Sequence, residues 1–397
     1  MAPTLSPPLL EVGYNYTWPF NRYGTSMGPR DLQNDPPIGA ADKTPVFRDT
    51  ALVPPAGSLD RNLKILRDEL KIRKVRMFLM GNAFNYGKAP ISPLPSGRSF
   101  FTAPPFAHPL FFDHFREMLQ VFQANEMQVI PSVIDFGAFY PLSGGGGGAG
   151  RTSVLTSQRI RFLETVLKPM LRVSREKGLE NTIFAWEVVN EPVWNTIAAP
   201  LFLKRPHTRS DGPDVSIDVM ATFIENCLTV IQGDGFQSTV GHRFLSDLTD
   251  TMPTGTMPQF HYYAGTSLAR RTFGVGDPDP IPKLSDLASD SRTRNAFIGE
   301  FSAAPGGDKN QFGDEEPGAV WPECKDDNGN QLDQDRARAS FERLAVLARK
   351  GYKLAFVWPD RSDKEKGVVN SDELKLSDDA KKAIKLFTRG RFPNGIP

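Results

Sequence analysis

Two short stretches put a glutamate where an apolar run meets chain breakers. The first, Asn181 to Trp194, reads Asn-Thr-Ile-Phe-Ala-Trp-Glu-Val-Val-Asn-Glu-Pro-Val-Trp, and the second, from Asn295, reads Asn-Ala-Phe-Ile-Gly-Glu-Phe-Ser-Ala. A short apolar run between breakers reads as a buried strand, most naturally in a parallel sheet. Pro192 cannot extend a central strand, so Glu191 is left where the backbone leaves the sheet. Glu300 is placed the same way, with Ala303-Ala-Pro-Gly-Gly following as loop. A carboxylate at the C-terminal end of a parallel barrel strand stands where such folds keep reacting groups. Two glutamates brought together there can divide acid and nucleophile roles, provided their surroundings separate their protonation states. The alternative for Glu191 is a purely structural acid at a helix N-terminus, favoured by the dipole.

The elements that must carry these residues follow in order. Leu9 to Tyr16 is the first candidate strand and opens into Thr17-Trp18-Pro19-Phe20, an aromatic loop that includes Trp18. Leu59, Leu63, Leu66 and Leu70 line one face of a helix capped by Ser58. Lys74 to Gly81 is the second strand, and Arg76 within it is unusual, because a buried strand rarely carries an uncompensated guanidinium. An amphipathic helix from Phe111 to Phe122 precedes the third strand, Met127 to Asp135. Helix Ser157–Glu176, with Pro169 expected to kink it, leads into the Glu191 strand. Helix Ile217–Ile231, a fifth strand near Ser238 to Phe244, and a sixth from Met257 to His261-Tyr-Tyr263 follow. Lys353 to Asp360 is the eighth strand, with Trp358 near its end, and helix Ser377–Thr388 closes the chain. Alternating strands and helices over 397 residues imply one (β/α)8 TIM barrel with enlarged βα loops, a single domain spanning 1–397.

These motifs resemble the retaining glycoside hydrolases of clan A, most closely glycoside hydrolase family 5. Trp186-Glu-Val-Val-Asn-Glu-Pro is similar to the strand-4 signature, in which the acid/base follows an asparagine. Phe297-Ile-Gly-Glu-Phe is similar to the strand-7 signature of the nucleophile. The resemblance implies that Arg76 on strand 2 holds the nucleophile ionised and that Asn190 bonds the 2-hydroxyl of a sugar. It further implies that Tyr263 bonds the nucleophile, that His261 faces the sugar, and that Trp358 stacks against it. Trp18, Trp194 and Asp135 are expected to line the same mouth as substrate contacts. Glu187 shares the side-chain parity of Glu191 but lies deeper, and is expected to serve the barrel interior.

Glycosidic cleavage through an oxocarbenium-like transition state needs one carboxylic acid to protonate the leaving oxygen and one carboxylate to attack. On this reading Glu191 is the acid/base and Glu300 the nucleophile. Arg76 and Tyr263 should lower the pKa of Glu300. Glu191, with fewer cationic partners and a negative neighbour, should have its pKa raised. Strands 4 and 7 face each other across a barrel mouth, so a carboxyl separation of roughly 5 Å, and hence retention, is attainable. A mouth rich in aromatics with Arg76 already neutralised favours an uncharged β-glucan or β-mannan over a uronate. Transglycosylation on the same scaffold and a non-catalytic carbohydrate-binding barrel are the alternatives.

Composition narrows the field further. A net charge of +1 with scattered Lys and Arg offers no field for nucleic acid. No apolar run approaches a membrane span, and a start of Met-Ala-Pro-Thr-Leu-Ser-Pro-Pro lacks the parts of a signal peptide. The chain as it stands is expected to be a cytoplasmic monomer, secreted if a leader has been removed. The five histidines form no His-x-His or His-x-x-x-His pair, so no metal and no cofactor is expected. Asp326-Asp-Asn-Gly-Asn lacks the closing Glu of a calcium loop, and the glycine run 144–148 lacks the Lys-Ser/Thr of a phosphate loop. Cys227 and Cys324 are too far apart in sequence for a metal pattern, and Cys227 falls on the apolar face of its helix.

Overall fold

A computed structural model describes residues 10–16, 59–80, 109–136, 153–196, 215–243, 245, 255–262, 281–290, 293–302, 344–358, 374, 376 and 378–388. Eight parallel strands form one sheet in the order β5-β4-β3-β2-β1-β8-β7-β6. They are β1 (Glu11–Tyr16), β2 (Lys74–Met80), β3 (Gln128–Asp135), β4 (Trp186–Asn190), β5 (Ser238–Gly241), β6 (Gln259–Tyr262), β7 (Phe297–Ser302) and β8 (Leu354–Trp358). Bridges Thr239–Met257 and His242–Phe260 join the two ends of that order, so the sheet closes on itself. This is the (β/α)8 barrel expected, and every expected strand is present with its ends moved by a few residues.

The packing follows the alternation of each strand. Val75, Met77 and Leu79 of β2 join the large core between strands and helices, with Phe111, Phe115, Met118 and Phe122 from helix Pro109–Ala124. The floor of the barrel interior is a separate small cluster of Ile130, Phe297, Leu354 and Phe356. Cys227 is buried on helix Ile217–Gly233, beside Met220, Phe223, Ile224 and Ile231, and burial pushes its thiol pKa up. The helix before β4 is broken as Pro169 requires. A π turn, Leu163–Leu167, precedes helix Lys168–Ser174, whose first turn holds the proline. Proline donates no backbone hydrogen bond, and the wider turn just ahead accommodates that loss. Among the described residues no helix is long and apolar enough to cross a membrane.

Two strands depart from strict alternation, and both carry the candidate residues. In β7, Phe297 points into the barrel and Ile298 into the outer core, so simple alternation would turn Glu300 outward. The register against β8 shifts between Ile298 and Phe301, and Glu300 comes inside instead. In β4 the register against β5 shifts between Glu187 and Asn190. Such a bulge re-aims a side chain at the rim of a barrel.

Candidate functional site

Arg76 is the centre of the site. Its guanidinium is fully buried, and all its N–H donors are used. Nε and Nη2 bind the two carboxylate oxygens of Glu187 at 2.6 Å each. Nη2 also donates to Asn190 Oδ1 at 2.6 Å. Nη1 donates to Glu300 Oε1 at 2.6 Å and to Asn15 Oδ1 at 2.9 Å. Burial works against the charge on Arg76, but the carboxylates of Glu187 and Glu300 outweigh it and raise the guanidinium pKa further. Its planar fork is matched by Glu187 as a bidentate partner, and Glu300 is the second carboxylate it holds.

Glu187, expected to serve the interior, does so with two further contacts, one of them braced by a third residue. Ser132 Oγ donates to its Oε1 at 2.6 Å and Gln259 Nε2 to its Oε2 at 2.7 Å, while Thr239 Oγ1 donates to Gln259 Oε1 at 3.1 Å. Asn15 Nδ2 donates to the carbonyls of Gly299 and Phe356, tying β1 to β7 and β8. Gly241 makes room for this cluster: a Cβ there would lie 2.9 Å from Glu187 Oε1 and 3.1 Å from both Arg76 Nη2 and Asn190 Oδ1. Asn190 uses its amide to bond Asp135 Oδ1 at 2.7 Å, so the two expected strand-end residues are partners of each other.

Glu191 sits just above this layer, 2 % exposed. Its backbone is left-handed (φ 48°, ψ 55°), uncommon for a non-glycine residue, and its N–H bonds the Gly241 carbonyl at 2.7 Å. Pro192 disfavours the right-handed helical region for the residue before it, and the chain leaves β4 by this sharp turn. Arg243 Nη1 donates to Glu191 Oε1 at 2.9 Å, and His261 Nδ1 shares a 2.7 Å hydrogen bond with the same oxygen. His261 Nδ1 also lies 3.4 Å from Glu300 Oε2. The expectation that Glu191 lacks cationic partners and has a raised pKa is overturned. Burial would push its carboxyl up, but the charge of Arg243 and the hydrogen bond of His261 bring it down to about 2. His242, buried beside this pair, is pushed down to about 3 by burial first and by His261 second.

Glu191, His261 and Glu300 each offer an atom within 4.8 Å of the others, the one such trio among the described residues. Sequence spacing had shown no cluster, because its members come from three different strands. The trio reads as a proton-sharing group rather than a metal centre. Two ligand atoms about 2.0 Å from a tetrahedral ion stand roughly 3.3 Å apart, whereas His261 Nδ1 and Glu191 Oε1 are at 2.7 Å. Arg243 beside them adds a positive charge where a cation would sit.

Of the other expected residues, Trp358 ends β8 inside the barrel, 5 % exposed and edge-to-face with Phe78 at 6.3 Å. Trp194 belongs by its backbone to the 3₁₀ turn Pro192–Asn195, while its side chain, together with Trp18 and Tyr263, lies outside the described residues. The glycine run, the Asp326 loop and Cys324 lie outside them too. Asn15, Ser132, Gln259 and Arg243 were missed in the sequence. The first three are polar residues at inward positions of otherwise apolar strands, a signal that was there to use. Arg243 fell inside the strand expected from Ser238 to Phe244, whereas β5 ends at Gly241, and nothing local tied it to Glu191.

No protein-family profile matches the chain, and no curated protein matches it. Solved structures do. The β-mannanase of the blue mussel Mytilus edulis aligns over 96 % of this chain and 92 % of its own, at 15 % identity and a TM-score of 0.53. An endo-1,4-β-mannanase from Eisenia fetida covers 95 % and 91 % at 15 % identity and 0.51. A Bacteroidetes-affiliated family 5 cellulase covers 97 % and 92 % at 14 % identity and 0.52. At such identities the likeness is one of fold, and it extends over nearly the whole chain: the chain has the (β/α)8 barrel that these solved structures share.

Proposed function

We propose that the chain is a retaining β-glycosidase acting on a neutral β-linked glycan of the mannan or glucan type. The observation that carries this reading is the approach of Glu191 and Glu300, with oxygen atoms within 4.8 Å across the barrel mouth. Retaining enzymes hold their carboxyls about 5 Å apart, while inverting ones leave roughly 6.5–9.5 Å for a water. Glu300, held by Arg76, attacks the anomeric carbon, and Glu191 gives a proton to the departing oxygen. Glu191 then takes a proton from the water that releases the glycosyl group. One of the two N–H groups of Asn190 Nδ2 is used by Asp135, and the other is available to a sugar 2-hydroxyl. The neutral substrate fits the charge of the described residues around the site, among which Asp135, Glu187, Glu191 and Glu300 outnumber Arg76 and Arg243. The fold shared with mannanases and a cellulase supports the same substrate class.

The roles are tested by azide rescue. Glu191→Ala should regain turnover of an activated aryl β-glycoside in azide and yield a β-glycosyl azide, whereas Glu300→Ala should yield the α-azide. A β-azide from the Glu300 variant would reverse the assignment, and full activity in both variants would remove it.

A further inference from the structure

The resting state of Glu191 conflicts with the task assigned to it, and Arg243 is the reason. A general acid must carry a proton, yet Arg243 Nη1 donates to Oε1 at 2.9 Å, and His261 Nδ1 shares a hydrogen bond with the same oxygen at 2.7 Å. The side chains of Arg243 and Glu191 are only 6 % and 3 % exposed, so the ion pair is little screened by solvent. The other charged and titratable groups around it come from every neighbouring strand. Glu300 approaches from β7 and His242 from the end of β5, while Glu187 lies below on β4. Arg76 from β2 and Asp135 from β3 both bond its neighbour Asn190. Arg76 is committed to Glu187 and Glu300, and among the described residues Arg243 is the guanidinium paired with Glu191.

Resting on the glycosidase reading, we propose that Arg243 is a positioning residue that keeps Glu191 deprotonated in the free protein, so that the acid is armed only when bound glycan weakens the Arg243–Glu191 pair. A sugar hydroxyl accepting from Arg243 competes for its N–H groups, and a ring laid over the mouth deepens the burial of Glu191. Both changes favour the neutral carboxyl. The proton balance is simple. One proton enters Glu191 from solvent as glycan binds and passes to the leaving oxygen. The attacking water gives its hydroxyl to the glycosyl group and its proton to Glu191, and that proton returns to solvent as the product leaves.

Two measurements test this. In the free full-length chain, the Glu191 carboxyl carbon, assigned as the NMR signal missing from Glu191→Gln, should titrate near 2. In Arg243→Met it should move up by about one to three pH units, and in Arg243→Lys by less. Steady-state profiles on manno- and cello-oligosaccharides, whose leaving groups need acid help, supply the second. The kcat/KM profile reports the free protein and kcat the complex, so the alkaline limb of kcat should lie above that of kcat/KM in the native chain. The gap should shrink in Arg243→Met. A Glu191 signal titrating at an ordinary value, or unmoved in a folded Arg243→Met variant, overturns the proposal, as does a gap that survives the substitution. Failure of the glycosidase reading looks different: no oligosaccharide is cleaved, while the NMR titration still responds to Arg243.

Discussion

A buried guanidinium is tolerated only where carboxylates repay its lost hydration, and Arg76 satisfies that condition with all its donors engaged. Arg76→Met would leave Glu187 and Glu300 buried without their shared counter-charge. The expected cost is about 3–5 kcal/mol of stability, read from urea denaturation midpoints, alongside loss of turnover. A midpoint within error of the native one would mean the cluster is not what holds the interior together. Glu191 makes a pH-dependent contribution of the opposite kind to a raised group. Its carboxyl lies near 2 in the folded chain against an ordinary 4.5, so the ion pair stabilises the fold above 4.5 and that contribution fades as pH falls towards 2. Denaturation midpoints between about pH 6 and about pH 3 should therefore drop less steeply in Glu191→Gln than in the native chain. Parallel slopes in the two proteins would show that Glu191 is not held ionised by its neighbours.

At the scale of elements, the site depends on strands that do not alternate regularly. The shift in β4 lets Glu187 serve the interior while Asn190 still reaches Arg76, and the shift in β7 brings Glu300 in from what would be the outer face. Close approach at β5 completes this arrangement, because Gly241 leaves the space that the Arg76–Glu187–Asn190 cluster fills. Gly241→Ala should force that cluster apart and cost about 1–3 kcal/mol, the range for overpacking a filled core, with turnover falling more than stability predicts. Thermal unfolding and kcat/KM on one preparation check this, and an unaffected kcat/KM would show that the cluster can give way. At the helix end, Ser216 accepts from the Val219 N–H at 3.3 Å and caps helix Ile217–Gly233.

At the scale of the molecule, closing the barrel through Thr239–Met257 and His242–Phe260 brings β4, β5, β6 and β7 around one mouth. His242 and Arg243 stand where that seam closes, so the residues pairing with Glu191 depend on the last ring contact being made. The proposed mechanism uses carboxylates, guanidiniums and an imidazole and calls for no ion. Turnover should survive EDTA treatment unchanged, and activity lost to EDTA and restored by a divalent cation would count against the proton-sharing reading of Glu191, His261 and Glu300. Trp358, almost wholly covered in the free chain, belongs to this scale as well. Trp358→Ala should lower kcat/KM by about 1–3 kcal/mol, the range for a ring stacked on an aromatic plane. A fall in thermal stability with kcat/KM unchanged would make it a packing residue.

The linear order of residues was enough to locate eight strands, to single out Glu191 and Glu300, and to mark Arg76 as a cation that needed partners. Each of those conclusions rests on local rules: apolar runs between breakers, a proline that ends a strand, a charge out of place in an apolar segment. The partners themselves were not local. Arg76 and Glu300 are separated by 224 positions in sequence, Glu191 and His261 by 70, and Glu191 and Arg243 by 52. No period or spacing encodes such contacts, and a one-residue register shift reverses which face a side chain takes. The protonation of Glu191 was therefore read with the wrong sign from sequence, because a carboxyl's pKa is set by the charges the closed barrel places beside it and not by its neighbours along the chain.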